Sequence, residues 1–240
     1  MCFVNLFRES NMKRLIILEW ISYLSLAGCG IWIFVAPIES EMGFIQKIMY
    51  LHLPSVLVTY LAFFVAFACS IAYLWKRDIV YDQVARSSAE IGLIFCGLVL
   101  ITGSIWGKPT WGTYWVWDAR LTTTLILFMI FSGYFLLRMF ATDHEQQARL
   151  AAILAIVGFL DIPIVHQSVK WWRTLHQPTT LFKTENGKAT ASIPNELLMP
   201  LMASMLAALV FYVFLFLMRY EVEKRHHELQ EKIADQHFHS

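Results

Sequence analysis

Four tryptophans, one tyrosine and one aspartate are concentrated in residues 106–120, which we call the Trp-rich segment. Tryptophan offers a large, rigid aromatic face and a single N–H donor, so a cluster of tryptophans suits a flat apolar ligand that stays within reach of water. We therefore expect this segment to form an aromatic platform. Its candidate contact residues are Trp111, Tyr114, Trp115, Trp117, Asp118 and Arg120.

The spacing of these residues leaves the conformation of the Trp-rich segment open. In a helix, one face would carry Trp111, Tyr114, Trp115 and Asp118. In a strand, one face would carry Trp111, Thr113, Trp115 and Trp117. Asp118 precedes the next apolar stretch, so we favour a role as the cap of a helix that begins at Ala119. A contact with a tryptophan N–H or with a partner protein stays open.

Three histidines lie at the ends of apolar stretches, and imidazole is a common metal ligand. His52 lies where the second apolar stretch begins. His176 follows Trp172 by one turn of a predicted helix, and Pro178 predicts the end of that helix. His166, at the end of the fifth stretch, stays an alternative to either of the other two.

The composition of the chain places it in a membrane. Of its 240 residues, 58% are hydrophobic and 15% are charged, and the mean hydropathy is +0.54; a soluble domain is less apolar. A helix needs about 20 apolar residues to cross the hydrocarbon core. Long continuous runs argue against the alternating strands of a membrane β-barrel. The sequence thus predicts an all-α integral membrane protein, one bundle of six transmembrane helices near 15–36, 48–75, 85–106, 120–140, 148–166 and 197–219.

The distribution of Lys and Arg predicts the orientation, because cytoplasmic loops carry an excess of both. Twelve lie on the side of the two termini and seven on the other side. We therefore expect both termini in the cytoplasm of a bacterial cell and the Trp-rich segment at the periplasmic face of the inner membrane. Residues 167–196 become a periplasmic loop with a tight turn near 184–188, and 220–240 a charged cytoplasmic tail that continues the last helix.

This orientation places seven of the nine tryptophans at or near the outer face, together with His52 and His176. A belt of interfacial anchors would occur at both membrane faces, so the asymmetry favours a binding site. Five of the seven cations on the same side accompany these tryptophans and histidines: Lys47, Lys108, Arg120, Lys170 and Arg173.

These residue types match the chemistry of haem, since iron takes axial imidazoles, the macrocycle packs against aromatic rings and the propionates pair with cations. We expect haem b as the cofactor, with His52 and His176 as iron ligands. Arg120 and Lys47 are the first candidates for the propionates. Arg173 is the second, and Trp172 beside it is a further aromatic contact.

The sequence also resembles the cytochrome c maturation haem-handling protein C family, part of a wider group of membrane proteins with a "WWD" segment. Three stretches carry the resemblance, and six spans and the total length agree with it. They are Trp111-Gly112-Thr113-Tyr114-Trp115-Val116-Trp117-Asp118, Tyr50-Leu51-His52-Leu53-Pro54 and Trp171-Trp172-Arg173-Thr174-Leu175-His176-Gln177-Pro178.

The resemblance implies that His52 and His176 are the axial ligands of a haem held at the outer face, with the Trp-rich segment beneath it. It further implies that the haem passes to a periplasmic haem chaperone, which bonds covalently to a vinyl group. The implied membrane partners are a small one-span helper protein and ABC-type membrane and ATPase subunits. Membrane lipid surrounds the spans, and no nucleic acid is expected as a partner.

The resemblance implies a haem-handling and transfer protein rather than an enzyme, and we assign no catalytic residue. A role in assisting covalent attachment of haem to the chaperone stays open. The four cysteines form no C-x-x-C or C-x-x-C-H pattern, which argues against a thiol oxidoreductase of that type and against a c-type cytochrome.

Two other classes stay open. Glu19 and Asp161 lie within spans, and intramembrane acids often serve transport, so one alternative is a transporter subunit for haem or another small molecule. The other is a b-type electron-transfer cytochrome, which needs histidine pairs at two depths of the membrane. The spans offer no histidine near their midplane or inner edge, so this second alternative is disfavoured.

Overall fold

The computed structural model describes residues 12–40, 42–140, 143–176, 182–185, 188–191 and 193–238. Six long α-helices dominate it and confirm the predicted all-α membrane fold, since each is long and apolar enough to cross a membrane. The helices are α1 (Met12–Val35), α2 (Met49–Lys76), α3 (Ile79–Trp111), α4 (Ala119–Phe140), α5 (His144–Trp171) and α6 (Asn195–Phe238). A short 3-10 helix, Phe44–Ile48, precedes α2.

Side-chain caps account for two helix starts that lie upstream of the predicted spans. The Asp78 carboxylate accepts a hydrogen bond from the Val80 backbone N–H at 3.0 Å, and α3 begins at the next residue. Asp143 accepts from the Gln146 backbone N–H at 2.8 Å and starts α5 in the same way. The first backbone N–H groups of a helix have no carbonyl partner inside it, and an acidic cap accepts a hydrogen bond from one of them. The polar residues between each cap and the predicted span therefore join the helix.

Helix α2 lies at the centre of the bundle and packs against α3, α5 and α6. Its Phe63 ring stacks on Phe131 of α4 with 3.6 Å between the ring centroids. Glycines make room for both rings, because a Cβ at Gly92 would lie 2.6 Å from Phe63 and a Cβ at Gly158 would lie 2.8 Å from Phe131. Helix α1 packs mainly on α6.

One buried ion pair and one partly exposed charged network lie at the end of the bundle where α3 begins and α4 ends, which we call the opposite end. Arg138 Nη1 donates to Asp82 Oδ2 at 3.0 Å, and Arg138 Nη2 donates to the Tyr134 hydroxyl at 2.7 Å. A second charged network joins α3 to α6 through Arg86, Glu90, Arg219 and Glu223.

Two features follow α5. Strands β1 (Phe182–Glu185) and β2 (Lys188–Ala191) pair antiparallel, with Glu185 opposite Lys188. The tight turn predicted near 184–188 includes residues 186 and 187, which lie outside the described residues. Helix α6 is 44 residues long, about 66 Å at 1.5 Å per residue. It therefore continues well beyond a membrane span, which confirms the predicted helical tail; the cytoplasmic location of that tail stays a prediction.

Candidate ligand-binding site

A cavity of about 520 Å³ lies at the end of the bundle that carries the Trp-rich segment, which we call the site end. Helices α2, α3, α4 and α5 line it, together with the irregular segments that follow α3 and α5. Its volume falls in the range of about 300–1,000 Å³ common for small-molecule and cofactor pockets. Five of the residues predicted as contacts line this cavity: His52, Trp111, Trp115, Arg120 and His176.

His52 lies in the first turn of α2 and is buried, with 8% of its surface exposed. Its Nδ1 lies 2.9 Å from the hydroxyl of Thr102 on α3. Its ring meets the Trp106 indole edge to face, with 5.7 Å between centroids. Two positions of α3 therefore hold the imidazole against the cavity wall.

His176 reaches the cavity from the segment that follows α5. The prediction that His176 lies in the same helix as Trp172 is wrong: α5 ends at Trp171, and Trp172 has extended backbone angles. The Trp172 backbone N–H still donates to Ser168 O at 3.0 Å, which closes the last helical turn. His176 lies beside Trp111, with 6.1 Å between the ring centroids.

The Trp-rich segment is neither one helix nor one strand. Helix α3 continues through Trp111 and ends at Gly112, whose φ of 77° is left-handed and suits glycine. An irregular stretch follows up to Asp118. Trp111 and Trp115, the two tryptophans common to both predicted faces, line the cavity. The indoles of Trp115 and Trp117 lie at 80° to each other, so these two rings do not form one flat platform.

Three buried N–H donors at this cavity have no hydrogen-bond partner in the described part of the chain. They are Trp106 Nε1, Trp115 Nε1 and Arg120 Nη1. Arg120 lies in the first turn of α4 with 8% of its surface exposed. A buried donor without a partner costs about 1–3 kcal/mol, and more for a charged group. The cavity therefore suits a ligand that brings acceptor oxygens, and a carboxylate is the natural partner of the guanidinium.

Asp118 caps α4, as favoured from the sequence. Its Oδ1 accepts from the Leu121 backbone N–H at 2.8 Å, and its own backbone carbonyl accepts from Thr122 N–H at 3.0 Å. Oδ2 is buried and has no partner among the described residues. The cap residue lies two positions before Arg120 and fixes the start of α4 at Ala119.

The remaining predicted contacts lie outside the cavity lining. Lys47 Nζ donates to Ile33 O at 2.9 Å and to Phe34 O at 2.8 Å, so it neutralises the carbonyl end of α1. The other predicted contacts are exposed at the site end, as is the alternative ligand His166: they are Tyr114, Trp117, Trp172 and Arg173.

Sequence reasoning missed three residues of α3 at the site: Gly103 and Gly107 line the cavity, and Thr102 contacts the His52 imidazole. A Cβ at Gly103 would lie 3.2 Å from His52 Cε1, and a Cβ at Gly107 would lie 2.6 Å from the Trp111 ring. The two glycines are four residues apart and so share one helix face. That spacing, at the start of the Trp-rich segment, was the available signal.

Comparison with known proteins places the chain in a family. A sequence model of the family described as Heme exporter protein C matches residues 4–235. The Heme exporter protein C of Bradyrhizobium diazoefficiens is 37% identical over 218 residues, which are 87% of this chain and 80% of that protein. That of Haemophilus influenzae is 39% identical over 203 residues, 83% of this chain and 80% of its own length. A mitochondrial protein of Marchantia polymorpha, named for cytochrome c biosynthesis, is 34% identical over 195 residues, 81% of this chain and 78% of that protein. The chain therefore belongs to the Heme exporter protein C family.

Proposed function

We propose that this protein binds haem b in the cavity at the site end and delivers it to a periplasmic haem chaperone during cytochrome c maturation. His52 and His176 are the axial iron ligands. The observation that carries the proposal is that both histidines line one cavity together with Trp111, Trp115 and the buried Arg120. Haem is here a cargo, and the protein acts as a handling and transfer protein.

The unpartnered donors of the cavity fit this cargo. Haem carries two propionates, and the Arg120 guanidinium can engage a carboxylate through parallel hydrogen bonds. Trp115 and Trp106 add N–H groups that have no partner among the described residues. Trp111 supplies an aromatic face for the macrocycle beside His176. Each chemical part of haem thus has a counterpart in the wall of one cavity.

Transfer needs an accessible surface next to the bound haem. The irregular stretch of the Trp-rich segment carries Tyr114 and Trp117 outside the cavity, and Trp117 is 76% exposed. Trp172 and Arg173 are exposed after α5. We assign these residues to contact with the chaperone or with membrane lipid. Lys47 is already engaged by the end of α1, and we rank it below Arg120 as a propionate partner.

The names of the relatives support the cellular setting. Two are called Heme exporter protein C, and a third is named for cytochrome c biosynthesis. We propose a bacterial inner membrane as its location, with both termini cytoplasmic as the distribution of Lys and Arg predicts. Its proposed partners there are a small one-span helper protein and ABC-type membrane and ATPase subunits.

The proposal is tested by purifying the protein and its His52→Ala, His176→Ala and His166→Ala variants, and measuring bound haem and its absorption spectrum. We expect the first two variants to lose haem or to change from six-coordinate to five-coordinate iron. His166→Ala is the matched control, because His166 is exposed and does not line the cavity. Wild-type haem content and ligation in both His52→Ala and His176→Ala would overturn the proposed site.

A separate assay distinguishes handling from transport. The purified chain, reconstituted alone into liposomes, is given haem on one side, and a haem-binding protein on the other side reports its passage. We expect no passage above that of liposomes without protein. Unaided passage would support a transporter in place of the proposed handling role.

A further inference from the structure

The hydroxyl of Thr102 stands between the imidazole of His52 and the backbone of α3. Thr102 Oγ1 lies 2.9 Å from His52 Nδ1 and 2.6 Å from the carbonyl oxygen of Leu98, one turn earlier in α3. The Val99 carbonyl oxygen is farther from the hydroxyl, at 3.4 Å. Thr102 is itself buried, so all its contacts are with protein groups.

The shorter of these distances decides where the hydroxyl proton lies. Two oxygen atoms approach to 2.6 Å only when a hydrogen lies between them. A carbonyl carries no hydrogen and a hydroxyl carries one, so the proton of Thr102 is committed to Leu98 O. Toward His52, the Thr102 oxygen is left as an acceptor. Nδ1 of His52 must therefore be the donor.

We propose that Thr102 is a positioning residue, which holds His52 as the tautomer with hydrogen on Nδ1 and so presents the lone pair of Nε2 to haem iron. A neutral imidazole has one N–H and one lone pair, and the partner of one nitrogen selects the role of the other. This inference rests on the proposed function, since it concerns the state of one ligand in that site.

The same wall also restricts the orientation of the ring. Gly103 brings the α3 backbone so close that a Cβ there would lie 3.2 Å from His52 Cε1. The Trp106 indole packs on the ring at an interplanar angle of 73°. A flip of the imidazole ring would exchange Nδ1 for a ring carbon. The Thr102 hydroxyl would then lose the N–H from which it accepts a hydrogen bond. Orientation and tautomer are thus fixed by three positions within five residues of α3.

The first test compares Thr102→Val with Thr102→Ser. Valine keeps the shape of threonine and removes the acceptor, whereas serine keeps the hydroxyl. Loss of the partner that orients a metal-bound histidine lowers metal affinity on the order of 10- to 100-fold. We expect haem affinity to fall by about that factor in Thr102→Val, with weakened axial ligation in the absorption and electron paramagnetic resonance spectra. Thr102→Ser should stay close to wild type.

The second test removes the His52 side chain and supplies a free imidazole in its place. Its first part leaves Thr102 unchanged. In a His52→Gly variant, added imidazole can occupy the vacated position, bind iron and donate its N–H to Thr102. 1-Methylimidazole can bind iron but has no N–H to donate. We expect imidazole to restore six-coordinate haem at about tenfold lower concentration than 1-methylimidazole.

A double variant, His52→Gly with Thr102→Val, separates the effect of the hydrogen bond from the effect of the extra methyl group of 1-methylimidazole. Valine and threonine have nearly the same volume. If imidazole were preferred over 1-methylimidazole only because it is smaller, the preference would persist in the double variant. We expect the preference for imidazole to disappear in the double variant. An equal preference in both backgrounds would overturn the role of Thr102.

The outcomes distinguish this inference from the proposed function. If His52→Ala leaves haem binding unchanged, the proposed site fails. If His52→Ala loses haem while Thr102→Val matches wild type in affinity and spectrum, the site stands and the positioning role fails. If both Thr102→Val and Thr102→Ser lose haem equally, the hydroxyl is not the cause and the positioning role fails as well.

Discussion

Trp115 and Trp117 are two residues apart, yet their surroundings differ. Trp115 lines the cavity, and its indole N–H is buried without a partner among the described residues. Trp117 is 76% exposed and touches Trp115 edge to face. The two residues therefore form a matched pair of the same residue type, one inside the proposed haem site and one outside it.

We expect Trp115→Ala to lower haem retention several-fold while membrane insertion stays normal, because the change removes both an aromatic wall and an N–H donor. Trp117→Ala should retain haem as wild type does. Bound haem per purified protein, measured after detergent washing, checks this prediction. Equal retention in Trp115→Ala and Trp117→Ala would reduce Trp115 to an interfacial anchor.

The second prediction concerns the effect of adding a Cβ atom at Gly103. A Cβ at this position would lie 3.2 Å from His52 Cε1, which is tighter than ordinary contact, so the ring must move by a few tenths of an ångström. We expect Gly103→Ala to fold normally and to bind haem with altered axial ligation. Gly97→Ala is the control on the same helix, because its Cβ would meet Phe128 at an ordinary 3.5 Å. Identical haem spectra in the two variants would contradict the close packing of His52 on α3.

At the scale of elements, the start of α4 places Arg120 in the cavity, and Asp118 determines that start. Asn caps a helix about as well as Asp, whereas Ala costs about 1 kcal/mol. We therefore expect Asp118→Asn to keep nearly wild-type haem content and Asp118→Ala to lower it, because Arg120 is then less firmly placed. Titration of haem into both purified variants measures the difference.

The same pair of variants separates the roles that stay open for Asp118. If Asp118→Asn binds haem normally but fails to transfer it, the negative charge serves the chaperone. If Asp118→Asn and Asp118→Ala lose haem equally, the carboxylate acts on the ligand and the capping role is insufficient.

The helices were predictable because their physical cause is local. About 20 consecutive apolar residues suffice to specify a membrane helix, and the cap at Asp118 follows from a short polar residue placed before an apolar stretch. The helical tail after the last span was predictable for the same reason: its mixed charges suit a solvated helix.

The wall of the site was less predictable, since it depends on contacts between distant parts of the chain. His52 and Thr102 are 50 positions apart, and a threonine inside an apolar span gives no local sign of a partner on another helix. The turn at Gly112 sends Trp111 and Trp115 toward one cavity from different backbone conformations. No single periodicity describes such a segment, so neither predicted face was found intact.

The two ends of the bundle differ in how their buried arginines are paired. At the site end, the buried Arg120 forms no ion pair with a carboxylate among the described residues. At the opposite end, the buried Arg138 forms an ion pair with Asp82 inside the helix bundle. We infer that the site end is built for a ligand and the opposite end for stability.

Breaking the buried pair at the opposite end should therefore destabilise the protein without changing the haem site. Removing one partner of a buried ion pair costs about 3–5 kcal/mol, so we expect Asp82→Ala to lower the thermal unfolding temperature in detergent. Haem bound to the folded fraction should keep its wild-type spectrum. Glu145→Ala is the control, because its pair with Arg77 is exposed, with 67% of the Glu145 side chain accessible. A changed haem spectrum in Asp82→Ala would show that the two ends are coupled.

The last prediction concerns the orientation of the protein in the membrane. Exposed positions at the two ends of the bundle can be labelled to test it. The opposite end carries most of the arginines and lysines, which favours the cytoplasm. A single cysteine is introduced at Trp117 or at Glu145, exposed at the site end and the opposite end respectively. The background carries Cys2→Ser, Cys29→Ala, Cys69→Ala and Cys96→Ala, so that no native thiol reacts. We expect a membrane-impermeant maleimide to label Trp117→Cys in intact spheroplasts and Glu145→Cys only after permeabilisation. The reverse pattern would place the cavity in the cytoplasm, where a periplasmic chaperone could not receive haem from it.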